Sequence, residues 1–205
     1  MRAMRFSSIG ALVFAALVAS APAFAATDAT GTNTVSPALQ VNVTVAKAIR
    51  LTLSTGTQCA VTAGSDYTMN FGTVDALAIS SGACGTKFAP TTPGTSPAVY
   101  YSDYKLKPVF TSQSTTNNTI SAYVSTDFAS AAGLLSIVQA NSAPSALGDL
   151  SAMSKLVGSQ TTIATNAANA TEITRYVGVS VAPMNGGGTL SGADSATITY
   201  TLTVQ

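Results

Sequence analysis

Hydrophobic and polar residues alternate with a period of two near both ends of this chain. Beyond Pro37, Leu39, Val41, Val43 and Val45 alternate with Gln40, Asn42 and Thr44, and the same parity resumes at Ile49, Leu51 and Leu53. Every second side chain then falls on one face, which is strand geometry. Lys47 interrupts the apolar face, so the segment reads as two strands or as one long strand broken near Ala46 to Ala48. At the far end Ala196, Ile198, Tyr200, Leu202 and Val204 alternate with Thr197, Thr199, Thr201 and Thr203. Val177, Val179 and Val181 predict another strand, followed by a turn at Gly186-Gly187-Gly188.

Between these ends the signals are shorter. Val61, then Tyr67, Met69 and Phe71 after a turn at Gly64-Ser65-Asp66, predict two strands bracketed by Cys59 and Cys84, with Leu77 and Ile79 leading to a second turn at Ser81-Gly82. Residues 85–97 carry three prolines and two glycines and read as loop. Val99 to Phe110 resumes as strand, with Pro108 requiring an edge position or a bulge, and Ile120 to Val124 follows. In residues 128–170 two readings stay open. Phe128, Ala131, Leu135 and Val138 suit one helical face, but Leu134 to Gln139 suits a buried strand equally well. Leu147, Leu150, Met153 and Val157 have helical spacing after Pro144. This stretch is taken as a loop-rich insertion with room for one short helix. Seven or more short strands with no repeating helix predict an all-β, antiparallel sandwich over 37–205.

The first 25 residues change the picture of where such a sandwich resides. Arg2 and Arg5, an apolar run from Ile9 to Val18 and the small-x-small site Ala23-Phe24-Ala25 match a secretory signal peptide. Cleavage there leaves a Thr-rich, small and polar leader at 26–36, and export through a periplasm to the cell surface or beyond is expected. No stretch approaches the roughly 20 apolar residues of a spanning helix, so no membrane insertion is expected after cleavage. Two of nine basic residues leave with the signal and all eight acids remain, moving the net charge from +1 to about −1. A chain so weakly charged has no polybasic surface for phosphates, which excludes nucleic acid as the natural partner. In an oxidising compartment Cys59 and Cys84 are expected to form a disulfide.

Candidate chemistry is sparse. The chain has no histidine, which removes the commonest general base and transition-metal ligand. Asp66, Asp75, Asp103, Asp127, Asp149, Glu172 and Asp194 are scattered singly and read as turn residues bonding their own backbone. No spacing marks the carboxylate pair of a glycosidase or a dense calcium loop. No catalytic residue, metal or cofactor is therefore expected, and the chain is read as a non-enzyme. Tyr100, Tyr101 and Tyr104 with Lys105 and Lys107 form the only aromatic-basic cluster; they are either a surface-ligand site or an amphipathic strand. Asn42-Val43-Thr44, Asn117-Asn118-Thr119 and Asn169-Ala170-Thr171 fit the glycosylation pattern, as a Thr/Asn-rich chain does by chance.

The run from Cys59 through Asn70-Phe71-Gly72 to Cys84, with the Val-rich strand before it and the Thr197–Val204 strand at the end, is similar to spore-coat-U-like and archaic chaperone–usher pilus subunits. The middle of this chain is longer and richer in Ala and Ser than that pattern, and a final tyrosine is missing. The resemblance implies an incomplete immunoglobulin-like sandwich completed by donor-strand exchange with copies of itself or related subunits, helped by a periplasmic chaperone and an outer-membrane usher. It assigns the donor role to the segment 35–45, with Leu39, Val41, Val43 and Val45 as pocket residues. The other reading makes Leu39 to Val45 the first strand of the chain's own domain. Two functions follow: a structural subunit of a surface fibre or coat, or a self-contained secreted sandwich that binds carbohydrate or another surface ligand.

Overall fold

The structure, a computed structural model, describes residues 48–64, 67–111, 117–129, 133–183 and 192–204. Among them are eleven strands, two short 3-10 turns and no α-helix. Two antiparallel sheets make a sandwich, as the alternating pattern predicts. The larger is ordered β1 (Ile49–Thr55), β5 (Ala98–Phe110), β10 (Ile173–Val181), β7 (Leu135–Ala140) and β8 (Ser151–Ala152), with β4 (Thr86–Phe88) also on β5. The smaller is ordered β11 (Thr197–Val204), β6 (Asn118–Thr126) and β9 (Thr161–Thr165). A hairpin of β2 (Val61–Thr62) and β3 (Thr68–Met69) pairs with neither sheet, and its Val61 and Met69 pack against the core.

Alternation explains which side chains meet. On β5 Tyr104 and Leu106 face the smaller sheet, opposite Arg175 and Ile173 of β10 and Thr55 and Leu53 of β1. They pack with Ile120, Ala122 and Val124 of β6 and Ile163 of β9 in one buried core. Each large apolar side chain fully withdrawn from water contributes roughly 1.5–3 kcal/mol. The sheets differ in length. β5 runs past the smaller sheet, and there Ala98, Tyr100 and Val181 are covered instead by Phe71, Val74, Ala76, Ala78 and Ala83. The loop that supplies them is closed by the Cys59–Cys84 disulfide, Cα atoms 5.5 Å apart.

Pro108 shows how β5 accommodates a residue with no N–H. β10 pairs with β5 only as far as Leu106, so on that side of Pro108 no ladder bond is missing, and its carbonyl accepts from Ala170 N at 2.8 Å. One edge of β5 is divided: β1 reaches Tyr104 and β4 begins at Tyr101. In the gap Thr57 N donates to both carboxylate oxygens of Asp103 at 2.8 Å, and Cys59 N donates to Ser102 Oγ at 3.0 Å. Gly56 passes so close that a Cβ would collide with Asp103.

Residues 128–170 contribute more than an insertion. Leu135–Ala140 is the strand that one of the two readings allows, and Thr161–Thr165 joins the smaller sheet. The helical spacing after Pro144 yields only 3-10 turns at Leu147–Asp149 and Val157–Ser159, with Met153 buried between them. Asp103 is corrected as well: it lies within β5 and is 6% exposed, not in a turn. Residues 1–47, which include the signal, the leader and the donor candidates Leu39, Val41, Val43 and Val45, lie outside the described residues, as do Asp66 and Gly186-Gly187-Gly188.

Candidate functional site

Among the described residues, one long side of the sandwich is closed and the other is not. On the closed side the chain between β8 and β9 crosses from sheet to sheet. Val124 N donates to Ser154 O at 2.8 Å, Ser154 N to Thr161 Oγ1 at 3.0 Å, and Asn141 Nδ2 to Thr162 O at 3.4 Å. Arg175 Nε adds a 2.7 Å bond to Ile163 O, tying β10 to β9.

On the opposite side β1 and β11 adjoin. Among the described residues β1 pairs with β5 alone and β11 with β6 alone, so each leaves one row of backbone donors and acceptors without a ladder partner. Their inward side chains, Leu51 and Leu53 on β1 and Ile198, Tyr200, Leu202 and Val204 on β11, are half-buried, whereas Leu106, Ile120 and Ala122 on the neighbouring strands are fully buried. An unpaired, apolar strand edge is a template for another strand.

Tyr104 and Tyr200 join the two sheets beside this edge. Their hydroxyls are 2.9 Å apart and their rings meet edge to face at 5.9 Å between centroids. Burial pushes Tyr104 up to about 12, against the opposing pull of the Tyr200 bond and the Arg175 charge. Burial, then the neighbouring Tyr104, raises Tyr200 well above its ordinary value.

The tyrosines read as a surface-ligand site are therefore not on the surface. Tyr100, Tyr101 and Tyr104 are 0%, 7% and 2% exposed. Tyr100 points its hydroxyl at the Asp75 carboxylate, 2.9 Å away, and Tyr101 donates to Pro144 O at 3.2 Å while stacking on Phe88. The reason is the length of β5: loops from 71–83 and 142–150 cover both faces where the smaller sheet ends. A strand forms here as expected, but not an amphipathic one: Tyr100 and Tyr101 lie on opposite faces of β5, both buried, and each hydroxyl is partnered inside the protein.

Among the described residues the carboxylates mostly hold structure. Asp75 accepts from Leu77 N at 2.8 Å, Ile79 N at 3.2 Å, Ser80 N at 2.6 Å and the Tyr100 hydroxyl. Burial raises its pKa, but these donors outweigh that and hold it below the ordinary value of 3.8. Asp149 accepts from Ser145 N, Ser145 Oγ and Ala146 N, which lowers its pKa too. Asp127 pairs with Lys155, and Glu172 lies 3.4 Å from Lys105. Among the described residues no cluster of three metal-ligating side chains occurs.

Two asparagines escaped the sequence reading. Asn118 exchanges two bonds of 2.9 Å with the backbone of Ala167, and Asn169 exchanges bonds of 3.0 and 2.8 Å with the backbone of Phe110. The turn 166–171 is thereby clipped to both sheets. Asn169 was visible only as part of a glycosylation pattern; its amide belongs to Phe110. Comparison with protein-family models, curated proteins and solved structures finds no match to this chain.

Proposed function

We propose that this chain is an exported structural subunit of a cell-surface fibre or coat, assembled by β-strand complementation. A single observation carries the reading: β1 and β11 adjoin with unpaired outer edges among the described residues, and their inward apolar side chains are only half covered. An added strand meets both needs, since its backbone completes a ladder and alternate side chains cover the exposed apolar surface. The segment 35–45 has the required pattern in Leu39, Val41, Val43 and Val45. Each side chain that becomes fully buried contributes roughly 1.5–3 kcal/mol before the costs of ordering. The donor comes from another copy or a related subunit, with a periplasmic chaperone and an outer-membrane usher as assembly partners and the periplasm as the route. The rival reading, a self-contained ligand-binding sandwich, loses Tyr100, Tyr101 and Tyr104 as its contact residues because they are buried.

The test keeps the chain whole. Val41→Glu with Val43→Glu is expected to leave a folded body, judged by its β-rich circular dichroism, while abolishing the oligomers or fibres that the unsubstituted protein forms under electron microscopy and size-exclusion chromatography. Unfolding of the substituted body would assign the segment to the chain's own first strand and refute donation.

A further inference from the structure

The smaller sheet has an outer face without a single charge. β6, β9 and β11 contain no Asp, Glu, Lys or Arg. Their outward positions are Thr119, Ser121, Tyr123 and Ser125 on β6, flanked in register by Thr203, Thr201 and Thr199 on β11 and by Thr165 and Thr162 on β9. Rows of hydroxyls therefore run across three strands, with Tyr123 as their only aromatic ring.

At one end this face dips into a cleft of about 390 Å³ lined by Asn117, Asn118, Thr119, Thr165, Asn166 and Thr203. The lining divides by use. Asn118 is buried and spends both ends of its amide on Ala167, so it builds the wall. The side chains of the other five make no hydrogen bond among the described residues, although Asn70, Asn141 and Asn169 elsewhere all do. Asn166 is also held in a left-handed conformation, φ 53°, with its N–H on Asn118 O at 2.8 Å. The turn thus fixes the backbone that presents an amide engaged by nothing among the described residues.

We infer that this cleft and face bind a neutral oligosaccharide lying along β6. The amides of Asn117 and Asn166 and the hydroxyls of Thr119, Thr165 and Thr203 offer both donors and acceptors, which complements a polyol, whereas Ser121, Ser125 and Thr199 already bond within the protein. The absence of charge favours a ligand that carries none, since an acidic glycan finds no counter-charge here. Tyr123 supplies the apolar platform on which the C–H face of a sugar ring rests. Thr119 and Tyr123 are four residue steps apart along the strand, roughly 13 Å, longer than one sugar ring, so the occupant is a chain of several units. This site is on the opposite face of the smaller sheet from Ile198, Tyr200 and Leu202 and does not depend on strand exchange.

The experiment uses the whole exported chain on an array of neutral six-unit oligomers of glucose, galactose, mannose and N-acetylglucosamine, with uronate and sulfated oligomers beside them. Binding to at least one neutral oligomer, unchanged by salt, is expected. Asn166→Gly keeps the left-handed turn, and Tyr123→Thr keeps a strand-forming residue; each is expected to weaken binding about tenfold, while Lys107→Gln on the other sheet changes nothing. Binding to acidic oligomers alone with strong salt dependence, no binding to any neutral oligomer, or full affinity in both variants would overturn the inference. So would a face occupied by a second copy, seen as Thr201→Lys altering oligomeric state while no glycan binds.

Discussion

The hydroxyls of Tyr104 and Tyr200 meet at 2.9 Å, one from an interior strand of the larger sheet and the other from the edge strand of the smaller. Removing one hydroxyl leaves its partner without a bond in the interior, a cost of about 1–3 kcal/mol, whereas removing both can be nearly neutral. Tyr104→Phe and Tyr200→Phe are each expected to lower stability in urea, and the double substitution to recover most of the loss. Equal additivity of the two singles would refute a specific pair.

The same pair sets an alkaline limit. Tyr104 titrates at about 12 in the folded protein against 10 when exposed. A raised pKa means that the folded state holds its proton more tightly, so the contribution is complete below pH 10 and is lost as pH rises towards 12. The difference corresponds to roughly 2–3 kcal/mol. Urea unfolding between pH 9 and about 12, read beside tyrosinate absorbance, should show stability falling with ionisation; a flat profile would contradict the burial.

How much of this could be read from the chain depended on periodicity. β1, β10 and β11 were legible because one face of each is apolar and the other polar or small, so register with the core dictates the pattern. The Tyr100, Tyr101 and Tyr104 run misled for the opposite reason: β5 is covered on both faces, and alternation disappears where both faces are buried. Leu135–Ala140 was ambiguous on the same ground. The clips made by Asn118 and Asn169 had no signature at all, since an amide that mimics a backbone pair needs partners 49 and 59 residues away. The open side at β1 and β11 was legible only as two half-apolar strands, because pairing partners are a property of the topology.

The Asn169 clip joins the turn to the end of β5, with the Phe110 backbone as both donor and acceptor. Asn169→Ala leaves two backbone groups of a part-buried strand end unpaired, at about 1–3 kcal/mol. Asn169→Asp keeps the acceptor and loses the donor, so it should fall between. Loss of amide protection at Phe110 in hydrogen exchange would localise the effect; unaltered exchange would show that the clip bears no weight.

Gly72 is a point of close backbone approach within the disulfide loop. Its φ is +72° and a Cβ would collide with the carbonyl of Gly82, while Cys84 N donates to Phe71 O at 3.0 Å alongside. Gly72→Ala is therefore expected to destabilise the protein by more than 1 kcal/mol, the scale for a residue forced into that conformation. Reducing Cys59–Cys84 relaxes the same loop and should cost about 3 kcal/mol on the chain-entropy account. Melting of oxidised and reduced protein, each with and without Gly72→Ala, tests whether the two act on one unit: if they do, the penalties are less than additive, and full additivity would separate them.

Asp75 organises the part of that loop lying over Tyr100. Its carboxylate gathers the N–H groups of Leu77, Ile79 and Ser80 and the Tyr100 hydroxyl, and the turn holds Ala78 at φ 58°. Burial raises the pKa of this group and the four donors more than reverse it, so the folded value lies below 3.8. The contribution is therefore present above the unfolded pKa and disappears as pH falls through the folded one. Residues 75–80 should open to hydrogen exchange below pH 3.8 while the sheets stay protected. Asp75→Ala should produce the same local opening at neutral pH, with a loss of about 1–3 kcal/mol. If acid instead released β6 and β9 together with the loop, Asp75 would be acting on the whole sandwich and the loop would not be a separate unit of stability.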